Sequence, residues 1–248
     1  MKIVMSEAPF LKSAIDSVVN LVEEGAFEIT ENGITLKAMD PSQISMISFS
    51  MEKSSFETFE ITEPRKLGLD ISQFSNILAR GKKGEKVELS LEDGRLSICF
   101  SAEKKKRTFK INLLDIGTGV QKEPAIQFEN SVTLNADAFK EILKDAKLIS
   151  SHVKLMLNAS DFIVEVKGDT GHLKDEFSKG SQEVIDLKSG ENGAKSTFPL
   201  QYLEDMVKAT SASTALTIFL ETDKPLKVFY ELFGAKITYY LAPRIENE

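Results

Sequence analysis

The spacing of hydrophobic and polar residues along this chain alternates between the two-residue period of a strand and the 3.6-residue period of a helix. The first apolar run, Met1–Met5, predicts a strand. Apolar residues at helical spacing over Phe10–Val22 then predict a helix. From Ala26 the period becomes two, and an Asn-Gly pair between two alternating runs predicts a hairpin.

The rest of the first half predicts strands on both sides of a second helix. Alternating runs at 44–51 and 56–61 predict two strands. Helical spacing over 71–78 predicts the second helix. A strand, an Asp-Gly turn and a strand follow over 87–100, with a further strand over 108–114. The predicted order is therefore strand, helix, strands, helix, strands.

After residue 128 the same order of elements recurs. The pattern there predicts a strand at 132–134, a helix at 137–147, strands at 153–157, 162–167, 172–177 and 183–187, a helix from Pro199 and three closing strands. Equivalent positions keep a nearly constant offset, since Phe139 lies 129 residues after Phe10 and Val228 lies 130 residues after Ile98. A steady offset over half the chain indicates an internal duplication.

The two similar halves are separated by a segment with two glycines, a proline and no sustained period, DIGTGVQKEPAIQF. These features predict an extended connector. We therefore predict an N-terminal domain over 1–114, the connector over 115–128 and a C-terminal domain over 129–248. The predicted fold class is α+β, with two β-rich domains that each carry two helices on one sheet face.

The composition of the chain indicates in which cellular compartment the protein is found. The chain has 248 residues, of which 42% are hydrophobic, and it contains no apolar run near the ~20 residues that a membrane helix needs. The N-terminus lacks the apolar segment of a signal peptide. The one cysteine, Cys99, excludes an intrachain disulfide and a cysteine-rich metal site. We expect an intracellular, reducing location.

No motif in the chain indicates catalysis. The Gly117-Thr118-Gly119 segment lacks the third glycine and the following helix of a dinucleotide site. The two histidines, His152 and His172, are too few for a metal cluster without cysteines. We therefore predict that the protein is not an enzyme and needs no metal and no cofactor.

The net charge of −7 argues against nucleic acid as a partner, so the positions of the 31 basic residues decide that question. The predicted helix at 137–147 carries lysines at i, i+4 and i+7 along one flank and acidic residues along the other. Taken alone, this pattern is more typical of a solvated helix of mixed charge. The densest basic run, 104–107, is compatible with a nucleic-acid patch or a localisation signal, but its place between two strands favours a solvated hairpin tip.

Two stretches of the chain resemble the signature stretches of the PCNA sliding clamps. They are LKAMDPSQISMISFSM at 36–51 and PLKVFYELFGAKITYYLAPRIENE at 225–248. The closing YYLAPRIE is particularly specific, because neither amphipathicity nor turn chemistry demands that string. The length, the two halves and the connector agree, so the resemblance covers nearly the whole chain. The short length and the Pro-Arg ending resemble archaeal members.

The resemblance implies a homotrimer, a pseudo-sixfold ring whose helices surround double-stranded DNA without sequence specificity. Such a clamp gives DNA polymerase its processivity, also binds flap endonuclease and DNA ligase through short peptide motifs, and is placed on DNA by a clamp loader. The location is then cytoplasmic and nucleoid-associated in an archaeon, or nuclear in a eukaryote. Two alternatives stay open: one subunit of a heterotrimeric clamp, and a DNA-independent scaffold with the same partner pocket.

The resemblance also implies three sets of site residues. The DNA-binding set is Lys12, Arg80, Lys82, Lys83, Lys140, Lys144, Lys147 and Lys208. The subunit-interface set is Arg107, Thr108 and Lys110 on one edge strand, facing Asp175, Glu176 and Phe177 of the next chain. The partner-peptide set is Met39, Ile44, Val120, Ile126, Pro225, Tyr240, Leu241, Ala242 and Pro243. The connector departs from the family, because it has Gln121, Lys122 and Glu123 where relatives have aliphatic residues.

Overall fold

The structure is a computed structural model, and it describes residues 1–117, 121–169 and 171–245. Within these residues the chain forms two compact units. The first unit consists of Met1–Pro41, Ile47–Gln121 and Glu231–Ile237. The second consists of Ser42–Met46, Lys122–Tyr230 and Thr238–Glu248. Each unit therefore includes a short segment from the other half of the sequence.

The described part of the first half contains nine strands and two α-helices, as well as a 3-10 turn at Lys53–Ser55. The strands are β1 (Lys2–Met5), β2 (Glu24–Thr30), β3 (Gly33–Met39), β4 (Ser45–Glu52), β5 (Thr58–Glu60), β6 (Arg65–Asp70), β7 (Lys86–Glu92), β8 (Arg95–Ala102) and β9 (Lys105–Asn112). The helices are α1 (Ala8–Val19) and α2 (Ile71–Leu78).

The described part of the second half repeats this inventory. Its strands are β10 (Asn130–Asn135), β11 (His152–Leu157), β12 (Asp161–Lys167), β13 (His172–Ser178), β14 (Val184–Lys188), β15 (Ala194–Pro199), β16 (Ala215–Leu220), β17 (Leu226–Leu232) and β18 (Ala235–Leu241). Its helices are α3 (Ala136–Lys147) and α4 (Leu200–Val207).

The strand orders of the two halves match element by element. The first half has the orders β5-β1-β7-β8-β9 and β4-β3-β2-β6, and the second has β14-β10-β16-β17-β18 and β13-β12-β11-β15. In this correspondence β9 is the equivalent of β18, and β4 is the equivalent of β13. The α+β fold with two similar halves, each with two helices, is therefore confirmed.

In the first unit the helices cover a core of aromatic and aliphatic residues. The ring of Phe27 on β2 lies 6.2 Å from that of Phe49 and 6.4 Å from that of Phe74 on α2. The side chain of Asp70 caps α2 by accepting a hydrogen bond from the Gln73 amide, at 2.7 Å. Because this acceptor satisfies one of the free N–H groups at the helix end, it fixes where α2 begins.

In the second unit the alternation of β12 decides which face of its sheet meets the helices. Phe162, Val164 and Val166 are buried, and the ring of Phe162 lies 6.3 Å from that of Phe139 on α3. The residues between them therefore face the opposite side of the sheet. The Tyr230 hydroxyl donates to the Met206 carbonyl of α4, at 2.8 Å, which ties β17 to that helix.

Several details differ from the sequence-based expectation. Helix α1 ends at Val19 and not at Val22. Strand β9 begins at Lys105 and not at residue 108, because the turn of its hairpin occupies Glu103 and Lys104. Strands β6 and β15, which are equivalents in the two halves, were not predicted. In β15 two of the three inward-facing residues are Ala194 and Ser196, which give little apolar signal.

Phe10 is not the equivalent of Phe139, because it is 37% exposed and stacks on Phe233 with the ring centroids 4.4 Å apart, whereas Phe139 is fully buried. Since α1 begins at Ala8 and α3 begins at Ala136, the buried equivalent of Phe139 is Leu11.

Candidate functional site

Helices α3 and α4 of the second unit form a groove that collects four of the predicted DNA-binding lysines. The groove has a volume of about 360 Å³. Its charged lining consists of Lys140, Lys144, Lys147 and Lys208 together with Glu204 and Asp205. The amphipathic pattern of α3 explains the arrangement, because Phe139, Ile142 and Leu143 are buried and leave the lysines on the accessible flank.

The lysines of this groove differ in how far they are already neutralised. The Lys144 ammonium lies 2.6 Å from Glu141, and that hydrogen bond raises the pKa of Lys144. The Lys147 ammonium lies 2.8 Å from Glu204. Lys140 donates to the Thr210 carbonyl at 2.5 Å, and burial lowers its pKa. Lys208 is exposed and makes no ion pair with another described residue. The groove therefore carries a modest positive charge.

The helices of the first unit carry less positive charge. Lys12 on α1 forms an ion pair with Asp16, one turn further along the same helix. The Ser75 hydroxyl of α2 donates to the same carboxylate at 2.8 Å, so Asp16 is held in place from both helices. The other predicted cations of this unit, Arg80, Lys82 and Lys83, are exposed in the turn after α2.

Both predicted interface strands lie at the edge of a sheet. Strand β9 is the last strand of the order β5-β1-β7-β8-β9, and β13 is the first of the order β13-β12-β11-β15. Thr108 and Lys110 are exposed on β9, while Glu176 is exposed and Phe177 is buried on β13. An edge strand offers a row of backbone N–H and C=O groups to another strand.

The repeat supplies an internal example of such a pairing. Strands β4 and β18 are the equivalents of β13 and β9, and they are neighbours in a sheet. Within the first unit, the Lys236 ammonium of β18 lies 2.7 Å from the Glu52 carboxylate of β4. The two kinds of strand are therefore able to pair in this fold.

Arg107 makes contacts inside the first unit that the sequence did not indicate. Its guanidinium lies 2.5 Å from the Glu85 carboxylate and 3.0 Å from the Arg80 carbonyl oxygen. It also lies 5.3 Å from the centroid of the Phe100 ring. Glu85 in turn accepts a hydrogen bond from the Lys82 amide, at 2.8 Å. Arg107 therefore anchors the loop after α2 to the edge strand.

Most of the predicted peptide-binding residues belong to the second unit. Ile44, Ile126, Pro225, Ala242 and Pro243 are half-buried there, whereas Leu241 is fully buried. Met39 belongs to the first unit. Val120 lies outside the described residues, as do Thr118, Gly119 and the closing residues 246–248.

Backbone hydrogen bonds fix the C-terminal segment at this site. The Ala242 amide donates to the Ile44 carbonyl at 2.8 Å, and the Ser45 hydroxyl donates to the Tyr240 carbonyl at 3.0 Å. The Tyr240 hydroxyl donates to the Glu123 carboxylate at 2.9 Å, so it holds part of the connector segment against β18. Glu123 was not predicted as a site residue, because only the fold brings it to a buried hydroxyl.

Tyr240 should make the folded protein less stable at alkaline pH. Burial, with the hydrogen bond to Glu123 and its charge adding to it, raises the pKa of Tyr240 to about 12 from an ordinary value of 10.0. As the pH rises, Tyr240 loses its hydroxyl proton in the unfolded chain before it does so in the folded one. The contribution of the protonated hydroxyl to the free energy of unfolding is therefore complete below about pH 10 and is lost as the pH rises towards 12.

Between about pH 10 and 12, we expect the free energy of unfolding of the wild type to fall by about 2–3 kcal/mol more than that of Tyr240→Phe. This follows from about 1.4 kcal/mol per pKa unit. Denaturant titrations of both proteins at several pH values from 8 to 12 measure the difference. Tyr230, whose pKa burial also raises, is present in both proteins and cancels in the comparison. Parallel curves for the two proteins would contradict the assignment.

The described residues hold neither a candidate metal cluster nor a candidate membrane span. They contain no group of three or more His, Cys, Asp or Glu side chains placed to hold a metal ion. None of the helices in the described ranges combines the length and the apolar character needed to cross a membrane.

Family models match the whole described chain. The model for the N-terminal domain of proliferating cell nuclear antigen matches residues 1–121, and the model for its C-terminal domain matches residues 122–245. The DNA polymerase sliding clamp of Methanococcus maripaludis is 38% identical over 242 residues, which cover 95% of this chain and 96% of that protein. The DNA polymerase sliding clamp of Thermococcus gammatolerans is 32% identical over 248 residues, with 99% of each chain covered.

Solved structures show the same fold. PCNA of A. fulgidus, in a structure with the C-terminal region of FEN-1 bound to it, has a TM-score of 0.87 and 29% identity, covering 100% of this chain and 99% of that one. PCNA of Thermococcus kodakaraensis has a TM-score of 0.93 over 98% of this chain and 99% of that one. At 21% identity, the second likeness supports the fold alone.

Proposed function

Since this chain belongs to the proliferating cell nuclear antigen family of DNA polymerase sliding clamps, we propose that three copies of it close into a ring around duplex DNA and hold polymerase there. Members of this family are non-catalytic processivity factors. What we propose beyond family membership is that this chain forms a ring, encloses DNA and binds further partners.

The observation that carries the proposal is the pair of edge strands. Each chain offers two different edges, β9 and β13, whose repeat equivalents β18 and β4 are already neighbours in a sheet. If β9 of one copy pairs with β13 of the next in the same way, every interface is heterologous and a rotation that closes gives a ring. Lys110 on β9 and Glu176 on β13 already pair within the chain, with Glu92 and Lys174 respectively. A contact between Lys110 and Glu176 of the next copy therefore adds at most ~0–1 kcal/mol at an exposed site.

The groove between α3 and α4 supports the proposed placement of DNA. Its four lysines face two carboxylates, so the attraction for phosphates is weak and independent of sequence. Weak contact suits a ring, because enclosure and not affinity then keeps the protein on DNA. Arg80, Lys82 and Lys83 add exposed cations from the first unit.

The segment around Tyr240 is proposed to bind the partners. Half-buried apolar side chains of Ile44, Ile126, Pro225 and Pro243 belong to the same unit as the fixed backbone of Ala242. We propose that polymerase, flap endonuclease, DNA ligase and the clamp loader insert a short helical turn with aliphatic and aromatic anchors here. The FEN-1 region bound to the A. fulgidus relative supports this part of the proposal. In an archaeal cell such a clamp works in the cytoplasm, at the nucleoid.

Solution mass and DNA topology together test the ring. We expect a mass three times that of one chain by light scattering at micromolar concentration. After loading with a clamp loader from a related archaeon, we expect retention on closed circular DNA in high salt, where ionic contacts are screened.

Linearising the same DNA is the control, and it should release the protein because a ring slides off a free end. A monomeric mass would contradict the ring. Equal retention on circular and linear DNA would contradict topological binding.

A further inference from the structure

A basic pocket lies in the second unit, on the face of the β11–β12–β15 sheet that points away from α3. Its volume is about 280 Å³. Its polar lining includes Lys154, Lys167, Arg244, Glu165, His152 and Thr197. None of these residues belongs to the three sets that the family resemblance implied.

Strand register and the C-terminal segment bring these side chains together. Lys154 on β11 lies directly opposite Glu165 on β12 and Thr197 on β15. The side chains of β12 that face α3 are Phe162, Val164 and Val166, so Glu165 and Lys167 point the other way. The Arg244 amide donates to the Thr197 carbonyl at 2.8 Å, which places Arg244 beside the edge strand β15.

The charges in the pocket do not cancel. Glu165 is engaged by Lys167 at 3.2 Å and by His172 at 3.1 Å. Burial opposes its ionisation, but these hydrogen bonds outweigh burial and hold the pKa of Glu165 below its ordinary value. Lys154 and Arg244 form no ion pair with any other residue that the structure describes. The pocket therefore presents two uncompensated cations, with a hydroxyl beside them.

The position of the pocket distinguishes between possible anions. The lysines of the α3–α4 groove lie on the other side of this sheet, so DNA that contacts them does not reach Lys154. Arg244, by contrast, directly follows Ala242 and Pro243, and one residue of chain spans at most ~3.6 Å. A peptide held at Ala242 can therefore place a side chain in the pocket from a position next to its hydrophobic anchors.

We infer that this pocket binds a carboxylate side chain, Asp or Glu, that flanks the hydrophobic anchors of the partner peptide. The inference rests on the proposed function, because it specifies the chemistry of partners that use the same site. It makes the pocket a specificity determinant, since partners with an acidic flank bind more tightly than partners with a neutral or basic one.

A glutamate scan of one synthetic peptide tests the inference. The parent peptide has the aliphatic and aromatic anchors and neutral flanks, and each variant carries one glutamate at one of the three positions before or after the anchors. Titration calorimetry on the full-length protein measures each dissociation constant. We expect one position to tighten binding about five- to tenfold at low salt, as for a charge-assisted contact, and the gain to shrink as salt is raised.

Two protein variants assign the gain to the pocket. Lys154→Gln should remove it and leave the affinity for the neutral peptide unchanged. Lys188→Gln on β14 is the matched control, because it removes one charge from an exposed lysine elsewhere in the same unit, and it should keep the gain. No gain at any position, or a gain that survives Lys154→Gln, would overturn the inference while the peptide site stands. If the neutral peptide itself fails to bind, the proposed peptide site is wrong and the inference falls with it.

Discussion

A proline at the outward-facing N–H of β9 is expected to convert the proposed ring into folded monomers. Proline lacks the backbone donor, and its ring obstructs the approach of a neighbouring strand. An edge strand tolerates this change where the lost N–H points away from its own sheet. The ladder to β13 of the next copy would lose several hydrogen bonds of about 0.5–1.5 kcal/mol each, which weakens association about a hundredfold or more.

Two neighbouring substitutions make this result specific. Successive N–H groups of a strand point to opposite sides, so Thr108→Pro and Phe109→Pro remove donors of opposite direction. One variant should sediment as a monomer and keep the stability of a single folded subunit, without the part that assembly adds. The other should lose a hydrogen bond to β8 and melt at a lower temperature. Light scattering and thermal denaturation of both proteins separate these outcomes. Two stable trimers would refute the proposed β9–β13 pairing.

The sequence predicted the repeated elements because each has a strong local pattern. The apolar stripe of α3 and the Asn-Gly hairpin between β2 and β3 depend only on nearby residues. The edge strands were placed through the family resemblance, and the strand orders agree with that placement. Strand β15 was missed because two of its inward-facing residues, Ala194 and Ser196, are small or polar and leave little apolar signal.

The details of the site depended on contacts between residues far apart in sequence. Nothing in the alternation of β9 distinguishes Arg107 from its lysine neighbours, yet the fold gives Arg107 a carboxylate, a carbonyl and an aromatic ring. Likewise, the connector residue Glu123 looked like a departure from an aliphatic wall. In the fold it accepts a hydrogen bond from Tyr240. Sequence patterns predict which face a residue occupies, but not its partner across a sheet.

Arg107→Ala is expected to destabilise the first unit by about 3 kcal/mol, in the range for breaking a largely buried ion pair. Glu85 is only 8% exposed, so removing the guanidinium leaves its carboxylate without that counter-charge. The change also removes the hydrogen bond to the Arg80 carbonyl and the contact with the Phe100 ring. Arg107→Lys should recover part of the loss, because an ammonium keeps the charge but not the planar fork.

The measurement must separate this internal role from the proposed subunit contact of Arg107 with Asp175 and Glu176. Assembly adds stability that depends on protein concentration, so the experiment uses the monomeric β9 proline variant as its background. In that background, urea denaturation of Arg107→Ala, Glu85→Gln and the double variant forms a thermodynamic cycle. We expect a coupling energy of about 1–3 kcal/mol between the two side chains, as for residues in direct contact. Additive effects in the monomer would instead mean that Arg107 acts mainly between subunits. Because the monomer has no neighbouring chain, any coupling measured there belongs to the fold of the first unit alone.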